Sequence, residues 1–381
     1  VWSHFIAPTH NDLFGVQAIS STLALAVGRE GTFLAYQWKE TEQRWEWIKY
    51  PIQPQYAEFL RAISIVRSDQ PGVFYEGWTV GHNGAMARVT AWPGRAVTRT
   101  YTFQWETIEP VVPNAILADV QMLSPEEGWA VGGRRSAGAN TSVTLYWDGQ
   151  RWAAHEFGDA VLLGLHMLSS TEGWAVGDKG TVLHYDGAGW KKVTSPTSEK
   201  LKAVHMLSRD EGWAVGLSGT LLQYSDGRWS LVRELTTDPY DYTALDFTSG
   251  TGWIVGKDLV SGIGGVISQY DEVYENWMAV TSPSVNHLYD VHTVSDTDAW
   301  AVGAPDELGG TVLYWDGRYW RRVYQPDLPL PPASLNTIDM VSADGGWAMG
   351  APVAGESPPS SLLLRYDGFR WARTRFQSPT N

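Results

Sequence analysis

Between Leu162 and Val193 the chain reads LLGLHMLSSTEGWAVGDKGTVLHYDGAGWKKV, and between Leu201 and Val232 it reads LKAVHMLSRDEGWAVGLSGTLLQYSDGRWSLV. In both stretches, four short apolar or alternating runs are separated by Ser/Asp/Glu-Gly, by a Gly-containing turn and by Asp-Gly. Short runs bounded in this way read as strands. Gly accepts positive φ, and Asp-Gly favours a two-residue hairpin. One unit is therefore expected to be a four-stranded antiparallel sheet of strand A (VHMLS), strand B (GWAVG), strand C (GTVLHY) and strand D (W-x-x-V). No helical period survives anywhere in the chain.

Strand B counts the units. It reads ALAVG ending at Gly28, GWTVG at Gly81, GWAVG at Gly132, Gly177 and Gly216, GWIVG at Gly256, AWAVG at Gly303 and GWAMG at Gly350. These eight copies lie 39 to 53 residues apart, with a mean of 46. A β-rich period of roughly 40–50 residues marks propeller blades. The expectation is all-β: residues 1–381 as a single β-propeller domain of eight blades, each of four antiparallel strands. Such a ring buries both faces of every blade and leaves few open edges. A seven-bladed ring with a surplus unit is the alternative.

The chain opens on a strand D, over residues 1–9. Trp2 to Gln17 aligns without gaps on Trp190 to His205 and on Trp277 to His292, with Pro8, Pro196 and Pro283 in register. An N-terminal strand of this kind completes the last blade in many rings. Here the last blade also owns a strand D candidate, Arg370-Trp371-Ala372-Arg373. Either one blade gains a fifth strand, or the sequence is cut from a longer chain.

Two sets of tryptophans account for much of the unusual total of 21. The strand B set (Trp78, Trp129, Trp174, Trp213, Trp253, Trp300, Trp347) is expected to fill the wedges between blades, with the indole N–H finding a partner. The strand D set (Trp45, Trp152, Trp190, Trp229, Trp277, Trp320, Trp371) either packs on the Asp-Gly turn before it or faces outward as a sugar-stacking platform, and packing is favoured.

Composition narrows the function classes. With 28 Lys plus Arg against 42 Asp plus Glu the formal net charge is −14, which repels phosphate backbones and argues against nucleic acid as a partner. The absence of cysteine removes disulfides, thiolate metal sites and a cysteine nucleophile. No apolar run approaches the roughly 20 residues that span a bilayer. There is no G-x-S-x-G, H-E-x-x-H, P-loop or EF-hand pattern, so neither cofactor nor metal is expected. Acidic charge and heavy aromatic use suit an extracytoplasmic or secreted bacterial protein.

The run Gly-Thr-Val-Leu-His-Tyr-Asp-Gly-Ala-Gly-Trp, Gly180 to Trp190, resembles the Asp-box hairpin of bacterial-neuraminidase-type repeats. It also looks like the repeats of the photosystem II stability and assembly factor family of propellers. The hairpin recurs at Asp148-Gly149 with Trp152, Asp226-Gly227 with Trp229, Asp316-Gly317 with Trp320 and Asp367-Gly368 with Trp371. Kelch repeats are a second resemblance, through Gly132-Gly133 followed by Tyr146 and Trp152, and through Tyr270-Asp271 followed by Trp277. The eight-bladed alcohol-dehydrogenase quinoproteins are set aside, because their tryptophan-docking signature and vicinal cysteines are missing.

Two groups of residues are candidates for function. One position of strand A is polar in every blade: Gln17, Ser64, Gln121, His166, His205, Asp246, His292 and Asp339. Placed near the central channel, these residues form either a ligand- or ion-binding ring or a hydrogen-bond girdle between blades, and the girdle is favoured. His166 and His205, on adjacent blades, are the pair closest to a shared site.

The second group is a wall of loops. In blades six to eight the B–C connections lengthen together (KDLVSGIGG, APDELGG, APVAGESPPSS), as do the D–A connections RELTTDPYDYT and YQPDLPLPPAS. Their distinctive side chains are Asp238, Tyr240, Asp241, Tyr242, Lys257, Asp258, Asp306, Glu307 and Glu356, an acidic and aromatic mix. The expected function is a non-catalytic scaffold, an accessory or assembly subunit that docks a protein partner through this face. This reading rests in part on the assembly-factor resemblance. The alternative is a carbohydrate-binding protein or a glycoside hydrolase acting on a polysaccharide, with a glycan as ligand.

Overall fold

The computed structural model describes residues 8–39, 44–50, 59–93, 101–136, 138–232, 240–248, 250–259, 264–271, 276–284, 286–323, 330–356 and 359–373. Eight four-stranded sheets form, every one in the order A-B-C-D with antiparallel neighbours. Blade four shows the plan, with strands Leu162–Ser169, Glu172–Gly177, Val182–Tyr185 and Trp190–Val193. The A strands begin at Leu13, Leu60, Ala115, Leu162, Leu201, Tyr240, Leu288 and Leu335. Each A strand contacts that of the next blade, and Leu335–Ser342 contacts Leu13–Ser20, so the A strands close a ring of eight. The chain is an eight-bladed β-propeller. Helix among the described residues amounts to two three-residue 3-10 turns, His82–Gly84 and Asp178–Gly180, both in B–C connections.

The last glycine of each strand B is fixed by close approach. A Cβ at Gly81, Gly132, Gly177, Gly216 or Gly350 would stand 1.9 to 2.2 Å from a backbone carbonyl at the start of strand A of the same blade. Any larger residue would push the two strands apart, which is why the motif ends in Gly. Just past this contact the A–B register slips by one residue in all eight blades, for example between Leu162 and Gly164. Such a bulge re-aims the extra side chain. Bulged residues reach the next blade: the Thr243 hydroxyl donates to the Leu288 carbonyl (2.7 Å), the Asn336 amide to the Leu13 carbonyl (2.9 Å), and the Lys202 ammonium to Asp241.

The core lies between blades, where the strand B tryptophans fill the wedges. Trp174 packs against Tyr224 (4.5 Å) and edge-on against Trp229 (5.4 Å, 81°) of the following blade. Trp78, Trp213, Trp253, Trp300 and Trp347 repeat this with Trp152, Trp277, Trp320, Trp371 and Trp47, at 4.9 to 5.4 Å. In blade one the packing residue is thus Trp47, not Trp45, because Trp47 stands opposite Tyr36 as Trp229 stands opposite Tyr224. The expectation of an N–H partner fails at most of these positions. Trp300 donates to Asp298 (2.9 Å), but the buried Nε1 atoms of Trp129, Trp174, Trp213, Trp253 and Trp347 have no hydrogen-bond partner among the described residues. Ring contact and burial hold these indoles, not their polar edge.

Among the described residues the ring closes without strand exchange. Blade eight draws its four strands from Leu335–Ser342, Gly345–Pro352, Ser361–Tyr366 and Trp371–Arg373. The expected strand D at 1–9 falls, except for Pro8 and Thr9, outside the described residues. Blades eight and one are joined by side-chain and main-chain hydrogen bonds outside the sheets. The Ser361 hydroxyl donates to the carbonyl of Asn11 (2.6 Å), and the Ser361 amide to that of Thr9 (3.0 Å). Arg365 donates to the Ser21 carbonyl (2.8 Å) and lies over the Tyr36 and Trp347 rings.

Candidate functional site

Of the wall residues, Asp238 lies outside the described residues. Tyr240 and Asp241 pair across the sheet with Asp258 and Lys257, so this part of the wall is an extension of the blade-six A–B hairpin. Tyr242 is fully buried in the core between blades five and six and cannot present its ring to a partner. Asp241 forms an ion pair with Lys202 of blade five. Beside this pair sits His287. Burial pushes its imidazole down to about 4, with Lys202 and Lys257 adding to the effect and Asp241 opposing it.

The acids of blades seven and eight serve as braces. Arg322 holds Asp306 through two hydrogen bonds of 2.9 Å, with the two side chains only 11% and 9% exposed. The same guanidinium donates to the Gly310 carbonyl (2.9 Å) and that of Gly309 (3.2 Å), clamping the turn; its hydrogen bonds hold the Asp306 carboxyl below the usual range. Arg373 likewise grips both oxygens of Glu356 and the Ser360 hydroxyl. The loops are therefore tied to their blades from strand D, by two arginines that loop composition gives no reason to single out.

Two adjacent tips remain open to solvent. Leu259 is 44% exposed next to Asp258, and Leu308 is 46% exposed next to the exposed Glu307. An acid followed by an exposed leucine thus recurs at the B–C tips of blades six and seven.

The strand A polar positions join neighbouring blades. Gln17 bonds both the amide (2.6 Å) and carbonyl (2.8 Å) of Ile65, and Gln121 does the same to Met167 at 2.8 and 3.0 Å. Ser64 accepts from the Met122 amide (2.9 Å), His166 Nδ1 from Met206 (2.7 Å), Asp246 from Thr293 (2.7 Å) and Asp339 from Ala18 (2.8 Å). In each case the acceptor reaches one residue past the polar position of the next blade. His205 and His292 instead lie 3.7 and 3.2 Å from Asp246 and Asp339.

Sequence reasoning missed a second tier. Asp119 Oδ2 accepts from the Leu165 amide (3.0 Å) and Asp290 Oδ2 from Ile338 (2.9 Å), two residues before the ring position and four blades apart. Burial pushes both carboxyls up to about 6. It drives the imidazoles the other way, His166 to about 4 and His205 to about 3. At His292 burial also pulls downward, but the hydrogen bond and charge of Asp339 outweigh it and the net shift is upward. His166 and His205 meet edge to face at 4.6 Å, yet no group of three or more His, Asp or Glu among the described residues is placed to hold a metal ion. No described helix is long and apolar enough to cross a membrane.

A closed ring of identical small sheets, joined by polar side chains within and aromatic wedges without, defines the class: a repeat-built eight-bladed β-propeller. No family model and no curated protein matches the chain. Among solved structures it is similar to YCF48 bound to D1 peptide, a photosystem II assembly-factor propeller, with a TM-score of 0.52, 18% identity and 95% of each chain covered. It is also similar to the computationally designed Ika8 protein (TM-score 0.59, 11% identity, 91% of this chain and 95% of that one). A third likeness is Sqt1 of Saccharomyces cerevisiae (TM-score 0.59, 9% identity, 96% of this chain and 95% of that one). At such identities the likeness carries the fold and not the function.

Proposed function

We propose that this propeller is a non-catalytic scaffold that docks a protein partner through the face over blades six to eight. The observation that carries the reading is the bracing of the wall. A solvent-facing insertion that drifts has no need of an almost buried, bidentate Arg322–Asp306 pair, and blade eight repeats the device with Arg373 and Glu356. Fixing a loop beforehand lowers the entropy lost on binding. The wall offers Leu308 beside Glu307 at the braced tip of blade seven and Leu259 beside Asp258 on blade six, which suits a partner that presents apolar groups among Lys and Arg. A fold neighbour bound to a peptide lends the reading general support. Glycoside hydrolysis is less well served, because Asp241, Asp306 and Glu356 are already engaged by cations.

The test is the native mass after gentle extraction from the source. A particle well above 42 kDa that falls apart when Leu259 and Leu308 are both changed to Asp supports docking at this face. Recovery as a free monomer overturns it.

A further inference from the structure

Four blades open strand B with a glutamate, in the run Glu-Gly-Trp, and three of the four carboxylates are answered. Glu76 of blade two meets Arg88 (2.6 Å), which stands opposite Trp78 in strand C. Glu127 of blade three takes the Tyr146 hydroxyl at 3.3 Å. Glu172 of blade four is held from two sides, by His184 of its own strand C (2.5 Å) and by Arg209 from the A–B turn of blade five (3.2 Å). Glu211 of blade five has neither an ion pair nor a side-chain hydrogen bond among the described residues.

Both groups that hold Glu172 are replaced at Glu211. The strand C residue opposite Trp213 is Gln223, where blade four sets His184 opposite Trp174. The next A–B turn, over 248–251, reads Thr-Ser-Gly-Thr; it is one residue shorter than the turn over 207–211 and carries no base. Glu211, Gln223 and Gly250 line one hollow of about 950 Å³ between blades five and six, with the exposed Leu207 at its edge. That lies inside the range of roughly 300–1,000 Å³ typical of ligand pockets. Glu211 is half-buried there, and the Gln223 side-chain amide has no partner among the described residues.

Two exposed carboxylates, Asp210 and Asp226, line the same hollow. Asp148, Asp186, Asp316 and Asp367, in the other Asp-Gly turns, accept amides of their own turns and pair with Arg151, Lys191, Arg321 and Arg370. The turn of Asp226 is one residue shorter, with Asp226 at φ +51° and Gly227 at +74°, and its carboxylate does neither. Asp210 likewise has no ion pair among the described residues. These acids are not grouped to hold a metal ion, so a longer cation fits them better.

We propose that the cleft between blades five and six binds an arginine of a partner peptide, its guanidinium between Glu211 and Gln223, with a second cation beside it at Asp210 and Asp226. The molecule supplies its own template: one wedge earlier, the same carboxylate is held by a guanidinium arriving from the neighbouring turn. A guanidinium suits the inner place better than an ammonium, because its fork reaches the carboxylate and the Gln223 carbonyl oxygen together. The A–B and C–D turns that build the cleft lie at the opposite strand ends from the B–C and D–A loops of the wall, so the two sites are separate.

Titration calorimetry of the purified chain with acetyl-Leu-Arg-Arg-amide, against the same peptide with citrulline for arginine, tests it. Salt at about 150 mM screens diffuse attraction to the net charge. The arginine peptide is expected to bind at least about tenfold more tightly, as for hydrogen bonds to a charged group. Glu211→Gln should weaken it about tenfold. Glu126→Gln, which removes the same charge from an exposed turn of blade three, should leave it unchanged. Gln223→Arg places in blade five the base that Arg88 supplies in blade two, and should abolish binding. No binding, equal binding of the two peptides, equal losses in Glu126→Gln and Glu211→Gln, or undiminished binding by a folded Gln223→Arg variant would each overturn the proposal. The probe is a synthetic peptide and the wall is untouched, so failure here leaves docking at blades six to eight standing, and failure of the wall leaves this cleft standing.

Discussion

The two interfaces that flank blade four are built in opposite ways. Between blades four and five the outside is shut by Trp174, Tyr224 and Trp229, and the girdle position contributes the single bond from Met206 to His166. Between blades three and four Trp129 meets Tyr185 but no edge-on indole, and Trp190 is only half-buried, while the inside carries three bonds, two between Gln121 and Met167 and one from Leu165 to Asp119. A propeller can thus relax an aromatic wedge where polar ties hold the A strands. Stability need not be spread the same way around a ring of near-identical repeats, although nearest-neighbour interfaces dominate such architectures.

The harshest way to break this comparison is to empty both wedges. Trp229→Ala should cost about 3–5 kcal/mol, the usual loss for a fully packed Trp in a core. Trp190→Ala should cost only about 1–2 kcal/mol, because it is only partly buried and lacks the edge-on contact with a strand B tryptophan. Equal losses in urea unfolding would show that Trp190 is packed as tightly as Trp229.

Acid should separate the two interfaces next. His166 and His205 titrate well below the ordinary 6.5, so the unfolded chain takes up their protons first. Their contribution is full above about pH 6.5 and is lost as the pH falls toward 4, by on the order of 2–3 kcal/mol each. Asp119 runs the other way. Its carboxyl is raised to about 6, so the folded state holds the proton more tightly, and its penalty, present above pH 6, is relieved on acidification toward 3.8. Hydrogen exchange from pH 7 to 5 should therefore show the Met206 amide losing protection while Met167 and Leu165 keep theirs. Parallel loss at all three amides would sink the idea of two different inner joints.

The finest contrast is Thr144→Val. Removing a buried, unpartnered hydroxyl should raise stability by about 1 kcal/mol. The same exchange at a paired hydroxyl, Thr79→Val, breaks a 2.8 Å bond to the Ala62 carbonyl and should destabilise by about 1 kcal/mol. Thermal unfolding of the two variants gives the sign directly.

Much of this was legible in the chain. The Gly-Trp-Ala-Val-Gly series records a geometric demand, since its last glycine meets a backbone carbonyl and its tryptophan meets the next blade, and blade count and strand order follow from it. Trp47 could not be told from Trp45 because both lie in one short strand and only the pairing with Tyr36 decides. The wall acids looked like free charge, because their partners Arg322 and Arg373 stand in strand D, 16 and 17 residues away. Gly189 is the one residue without a side chain directly before the tryptophan among the Asp-Gly-x-x-Trp runs, and the looser packing of Trp190 that follows it shows only beside the other wedges.

Among the described residues each sheet is drawn from one unbroken stretch of chain, so no hydrogen-bonded ladder there crosses from blade to blade. A cut between any two blades would sever a connection and spare every sheet. Permuted or split versions, opened between blades four and five and rejoined through blades eight and one, keep all eight ladders intact. The order in which this chain visits its blades is therefore a matter of wiring, and a single blade is the piece that duplication or exchange can move.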